Sequence, residues 1–201
     1  MGADFAAPEP IILASASPRR CEILTQMGLP FLVKPVEIEE DIAPGEPVEE
    51  AAQRLSREKV EACIERYGRE RLSWVLGADT LIELDGRPVG KPKDAAEAGA
   101  ILRRFSGRIH RVVTGVSLYA ASSGRILTER DISEVRFAPL SDEEIAWYAG
   151  TGEWQGAAGG YRIQGRGACL IERIAGSYST VMGLPIRTIY GMLRTTNYPF
   201  I

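Results

Sequence analysis

Apolar positions change their period along this chain, and the changes mark its elements. Ile11, Ile12 and Leu13 form a short unbroken apolar run, the pattern of a strand buried on both faces. Ser17 then stands where a helix N-cap belongs and Pro18 where a first helical residue belongs. Cys21, Ile23, Leu24 and Met27 continue that helix, and Gly28 stops it. Phe31 to Lys34 reads as a second short strand, and the acidic, proline-bearing stretch Val36 to Pro47 as a loop. Val48, Ala51, Ala52, Leu55, Lys59 and Ala62 recur at helical spacing up to Gly68. Trp74, Val75 and Leu76 predict a strand that delivers Gly77-Ala78-Asp79-Thr80. Leu81 to Leu84 continue it into Asp85-Gly86, a favoured hairpin turn. Asp94 is placed to cap a helix through Ala98, Ile101, Leu102 and Phe105.

The second half opens with two long strands, Ile109 to Ala120 and Ile126 to Ala138, turned at Ser122-Ser123-Gly124. Val135 and Phe137 alternate with Glu134 and Arg136, so one face of the second strand is apolar. Ser141 and Glu144 have capping-box spacing ahead of Ile145 and Tyr148. The glycine-rich segment from Gly150 to Gly167 interrupts regular structure, and Pro185 opens a last helix through Ile189, Met192 and Leu193. Helices alternating with strands around a long hairpin predict an α/β fold with a mixed sheet flanked by helices, in one domain spanning residues 1–201.

Composition narrows the partners. With 201 residues and 45% hydrophobic content, the chain can bury a sizeable core. A net charge of −3 offers no general field for nucleic acid, so an anionic partner needs a local basic cluster. Cys21, Cys63 and Cys169 are scattered and form no CxxC pair, which suits a reducing compartment. No apolar run is long enough for a membrane span, and the first ten residues lack a signal-peptide pattern. A cytoplasmic protein without a membrane partner is the expectation.

Candidate chemistry gathers at strand ends. Ser15-Ala16-Ser17-Pro18-Arg19-Arg20 offers a hydroxyl, helix N-terminal N–H groups and two guanidinium groups, which suits a polyphosphate. The bland alternative is a capped helix with solvated arginines. Asp79 follows two small residues and is the best candidate for a metal ligand or a proton acceptor; the alternative is a turn aspartate. Glu37, Glu39, Glu40 and Asp41 supply further carboxylates from what is otherwise a solvated loop. Lys59 and Lys91 gain meaning only beside Arg19 and Arg20. Gln164, among Gly159, Gly160, Gly165 and Gly167, carries both a donor and an acceptor, which suits the edge of a base. His110 is the only histidine and sits between apolar neighbours, so a structural role is expected and a zinc site is not. Neither a Walker A loop nor a GxGxxG fingerprint is present.

Together the motifs carry a resemblance. Ser15-Ala16-Ser17-Pro18-Arg19-Arg20, Gly77-Ala78-Asp79-Thr80, Gly90-Lys91-Pro92, Thr114-Gly115-Val116, Tyr161-Arg162-Ile163-Gln164-Gly165, and Gly176-Ser177-Tyr178 through Gly183-Leu184-Pro185 occur in order. Over nearly its whole length the chain resembles the Maf family of nucleoside triphosphate pyrophosphatases. The resemblance implies hydrolysis of a nucleoside triphosphate to the monophosphate and pyrophosphate with a divalent cation, Mg²⁺ or Mn²⁺. It implies two lobes with a central cleft, similar to inosine-triphosphate pyrophosphatases, and a homodimer. On that resemblance Asp79 is the proton acceptor and, with Glu40, a metal ligand, while Ser15, Arg20, Lys59 and Lys91 grip the polyphosphate. Arg19, Thr80 and Gln164 match the branch acting on dTTP and UTP. A 7-methyl-GTP pyrophosphatase is the near alternative, and a nucleotide-binding regulator of septum formation the alternative of another class. One departure stands out: Gly156-Ala157-Ala158-Gly159 lacks the lysine that family members often carry there, which leaves Arg162 or Arg166 to replace it.

Overall fold

Side-chain alternation along β1 (Ile11–Leu13) explains why the sheet is buried on both faces. Ile11 and Leu13 join one apolar cluster, and Ile12 with Ala14 joins another. The computed structural model describes residues 9–200; most of the amino-terminal stretch screened for a signal pattern lies outside them. α1 (Pro18–Gln26) and β2 (Phe31–Val33) follow, then α2 (Val48–Tyr67), β3 (Trp74–Leu84) and β4 (Arg87–Val89). α3 (Ala95–Phe105), β5 (Ile109–Ala120), β6 (Arg125–Phe137) and α4 (Asp142–Gly150) complete the middle of the chain. β7 (Ile171–Ala175), α5 (Tyr178–Met182) and α6 (Ile186–Thr195) close it.

The strands form one seven-stranded mixed sheet in the order β2-β1-β3-β5-β6-β7, with β4 also on β3. β1 runs parallel to β2 and β3, and the remaining pairs are antiparallel. The mixed α/β expectation therefore holds. Helix α2 covers one face of β3 and β5, while α1 and α6 cover the other at the parallel end. A second apolar cluster surrounds the far ends of β3, β5 and β6, built from α3 residues Leu102 and Phe105, from Tyr148 of α4, and from Tyr161 and Ile163. Two lobes thus share one sheet. Among the described residues no helix is long and apolar enough to cross a membrane.

Local signals explain most of these elements. Asp94 accepts from the Glu97 N–H at 2.8 Å, and Ser141 with Glu144 forms the full capping box of α4. Asp85 and Gly86 both have positive φ in the β3–β4 turn. Three expectations need correction. The strand from Trp74 continues through Leu81 to Leu84 as expected, but Asp79 lies in its middle rather than at a strand end, because β5 pairs with it residue by residue. Ser17 occupies the N-cap position of α1, yet its side chain makes no capping bond. β7 and α5, which follow the glycine-rich segment, carry no strong periodicity and were not foreseen.

Candidate active site

A gap along one edge of β3 opens the site. β1 pairs only with Val75 and Leu76, and β4 pairs only from Ile82 onward. Between them Gly77 to Leu81 has no strand on that side, and a cleft of about 490 Å³ opens there between the lobes. Its size suits a small-molecule ligand. Because residues alternate, Asp79 lies on the α2 side of β3 and Thr80 on the α1 side, and both line the cleft.

Close packing of α2 sets the position of Asp79. A side chain at Gly77 would meet the Ser56 carbonyl at 2.5 Å, and one at Gly115, the β5 partner of Asp79, would drive into the Ala52 carbonyl. These two glycines let α2 lie directly on the sheet. That approach buries Lys59, whose Nζ donates to Asp79 Oδ1 at 2.5 Å and to Glu40 Oε1 at 2.7 Å. Lys91 Nζ donates to the other Glu40 oxygen at 2.8 Å. Burial alone would raise the Glu40 pKa, but the two lysine hydrogen bonds outweigh it and hold the carboxyl at about 2.

The opposite wall is built by Arg20. Its guanidinium is buried, donates from Nε to the Gly183 carbonyl at 2.9 Å and from an Nη to Ser15 Oγ at 2.8 Å, and reaches Thr80 Oγ1 at 3.4 Å. Burial lowers its pKa, and the charge of Asp79 opposes that. Ser15 Oγ also accepts from the Ser17 N–H at 3.2 Å. Behind Thr80, the Thr114 hydroxyl lies 3.1 Å away and donates to the Thr180 carbonyl at 2.8 Å. The Thr180 hydroxyl in turn donates to the Asp131 carboxylate. This polar chain fixes Thr80 from the side away from the cleft. Arg19 stands half-buried at the cleft, and Gln164 is exposed on the facing glycine-rich wall.

All nine residues named from the sequence as site candidates (Ser15, Arg19, Arg20, Glu40, Lys59, Asp79, Thr80, Lys91 and Gln164) line this one cleft. Of the loop's candidate carboxylates, Glu40 reaches it, and Glu37, Glu39 and Asp41 do not. Sequence reasoning missed the Gly183 carbonyl that holds Arg20, and it left Arg162 as one of two options. Arg162 lines the cleft and Arg166 does not. His110 is structural as expected: it stacks on Phe105, with centroids 4.2 Å apart, and its Nε2 lies 2.7 Å from the Tyr161 hydroxyl. Burial lowers its pKa to about 3.

The donor set fits a hard divalent cation. Glu40 and Asp79 both lie within hydrogen-bond reach of a single ammonium, so the two carboxylates already converge on one positive charge. Among the described residues no group of three His, Cys, Asp or Glu side chains forms a complete cation cage. A site of one or two carboxylates finished by substrate phosphate oxygens is the pattern expected for Mg²⁺.

Buried arginine, paired carboxylates and lysines around a strand-edge cleft define an α/β protein built to hold a polyanion. Residues 10–196 match the family model described as Maf-like protein, and the chain belongs to that family. It is 47% identical over 205 residues to a dTTP/UTP pyrophosphatase of Aromatoleum aromaticum, covering 94% of this chain and 96% of that one. It is 46% identical over 189 residues to a dTTP/UTP pyrophosphatase of Symbiobacterium thermophilum, covering 94% and 95%. A solved crystal structure of a Vibrio cholerae protein shares the fold, with a TM-score of 0.50 at 13% identity over 96% of this chain and 99% of that one.

Proposed function

We propose that this protein is a nucleoside triphosphate pyrophosphatase that hydrolyses dTTP and UTP to the monophosphate and pyrophosphate. The observation that carries this reading is the convergence of Asp79, Glu40, Lys59, Lys91, Arg20 and Ser15 in one cleft. Relatives named dTTP/UTP pyrophosphatase, similar over nearly their full length, support the choice of substrate.

Each side chain has a part to play in that chemistry. Arg20, fixed by Gly183 and Ser15, offers a preset donor to a phosphate oxygen at the floor of the cleft. Lys91 is half-exposed and can exchange Glu40 for phosphate with little rearrangement. Lys59 holds Asp79 by Oδ1 and leaves Oδ2 without a protein hydrogen bond among the described residues. Asp79 Oδ2 then takes the proton of a water attacking the phosphorus nearest the ribose. Glu40 and Asp79 would hold the divalent cation, Mg²⁺ or Mn²⁺, which when bound supplies charge neutralisation to the triphosphate. Gln164, Arg19 and Thr80 are the candidates for reading the base. Uracil and thymine share an N3–H donor between two carbonyl acceptors, which Gln164 can meet with one acceptor and one donor.

The continuous sheet that carries both walls supports reading residues 1–201 as one domain. The direct experiment offers the purified protein dTTP, UTP, GTP and 7-methyl-GTP with Mg²⁺ and resolves the products. The reading expects pyrophosphate from dTTP and UTP. Orthophosphate as the primary product, or a preference for 7-methyl-GTP, would contradict it.

A further inference from the structure

Arg162 is a cleft cation without a part in the proposed chemistry. It comes from the glycine-rich wall, lines the cleft, and is half-buried. Its Nη2 donates to the Gln155 carbonyl at 2.8 Å, while its buried Nε has no hydrogen-bond partner. Arg19 lines the same cleft from α1. After burial, the charge of Arg162 is the next cause that lowers the Arg19 pKa, with Glu22 opposing. Two guanidinium groups thus face one cleft, and among the described residues neither has an ion-pair partner. Glu40 and Asp79 are already engaged by Lys59 and Lys91.

Like charges held together without a counter-ion cost free energy that a bound anion recovers. The same wall presents Ala157, buried and uncharged, and Arg166 does not reach the cleft, so Arg162 is the cation this wall offers. We propose that Arg162 is a substrate-binding residue that reaches the phosphate chain of the substrate from the glycine-rich wall. The proposal rests on the cleft being a triphosphate site. It places a charge-assisted contact on the glycine-rich wall, so that a bound phosphate chain ties this wall to α1.

The test uses inorganic triphosphate with Mg²⁺ as probe, titrated by calorimetry into the full-length wild type, Arg162→Ala and Arg162→Lys at two salt concentrations. Arg162→Ala is expected to bind the probe roughly 10- to 100-fold more weakly, the scale of losing a charge-assisted hydrogen bond, with a shallower salt dependence. Arg162→Lys keeps the charge and is expected to keep most of the affinity. With dTTP and UTP the loss in Arg162→Ala is expected in KM rather than in kcat, and alike for both bases. Unchanged triphosphate affinity in Arg162→Ala would overturn the proposal. So would an equal loss in both variants, which would make Arg162 a support for the loop through Gln155. Because the probe carries no nucleoside and is not turned over in the assay readout, a wild type that fails to hydrolyse any nucleotide would overturn the functional reading and leave this result to stand by itself.

Discussion

Lys59 and Asp79 lie on different elements, α2 and β3, yet their charged atoms stand 2.5 Å apart with both side chains more than nine-tenths buried. The lysine read from sequence as a phosphate grip is thus first a partner of the proposed proton acceptor. A second carboxylate, Glu40, shares the same ammonium. The pair is therefore asymmetric: removing Asp79 leaves Lys59 with Glu40, but removing Lys59 leaves Asp79 buried without its hydrogen-bonded counter-charge.

That asymmetry separates stability from turnover. Asp79→Asn is expected to lower turnover by ~10²-fold or more, the scale of a lost general base, with little loss of stability. Lys59→Met is expected to destabilise the fold by about 3 kcal/mol, the scale of breaking a buried ion pair from one side. Denaturant unfolding and steady-state kinetics on both variants check this. Near-wild-type turnover in Asp79→Asn would remove Asp79 from the mechanism.

Close approach of α2 to the sheet gives a packing prediction. Gly115→Ala and Gly77→Ala each place a methyl group against helix backbone, and each is expected to cost ~1–3 kcal/mol as overpacking. Both push on the helix that carries Lys59, so turnover should fall with stability. Gly90→Ala is the control on the neighbouring wall, since nothing lies within 4 Å of the added methyl. Thermal unfolding of the three variants is the measurement, and equal stability for all three would contradict the packing account.

His110 sets a pH dependence whose sign is fixed by its burial. Its folded pKa, about 3, lies below the unfolded value near 6.5, so the unfolded chain binds the proton first. Its contribution is fully present above pH 6.5 and drains away as pH falls toward 3. Between pH 6.5 and 5, where ordinary carboxylates remain ionised, stability should fall by up to ~1.4 kcal/mol per pH unit. As the only histidine, it gives a clean signal. In His110→Phe that slope should flatten; an unchanged slope would assign it to other groups. Glu40 acts in the same direction at lower pH, since lysine hydrogen bonds hold it at about 2 and its contribution is lost as pH falls through that value.

Base choice offers a separate check on the glycine-rich wall. Gln164→Ala is expected to lose more efficiency on dTTP and UTP than on GTP, by ~1–3 kcal/mol of discrimination, because a hydrogen bond to the pyrimidine edge is removed. Arg20→Ala should weaken all triphosphates alike, because phosphate contacts carry no base information. Relative kcat/KM across the panel distinguishes the two.

Much of this was legible in the sequence because its local rules agree with the fold. The caps at Asp94 and Ser141, the Asp85-Gly86 turn and the apolar run at Ile11 each act within a few residues. β7 and α5 were not legible: β7 is half-exposed and forms by pairing with distant β6, and α5 is a single short turn held by the Ser133 and Thr114 side chains. Gly77 reads from sequence as room for a ligand, and only the fold shows that the backbone of α2 fills that room. Residue types pointed to Asp79, Arg20 and Lys59, but their pairings depend on tertiary contacts. The role of Lys59 toward Asp79 and the carbonyl at Gly183 therefore emerged only with the fold.

The central claim is water attack, assisted by Asp79, at the phosphorus nearest the ribose. Hydrolysis of dTTP with Mg²⁺ in ¹⁸O-labelled water, followed by mass spectrometry of the products, tests it most directly. The account predicts the label in dTMP and none in pyrophosphate. Label in pyrophosphate or in released orthophosphate would contradict it.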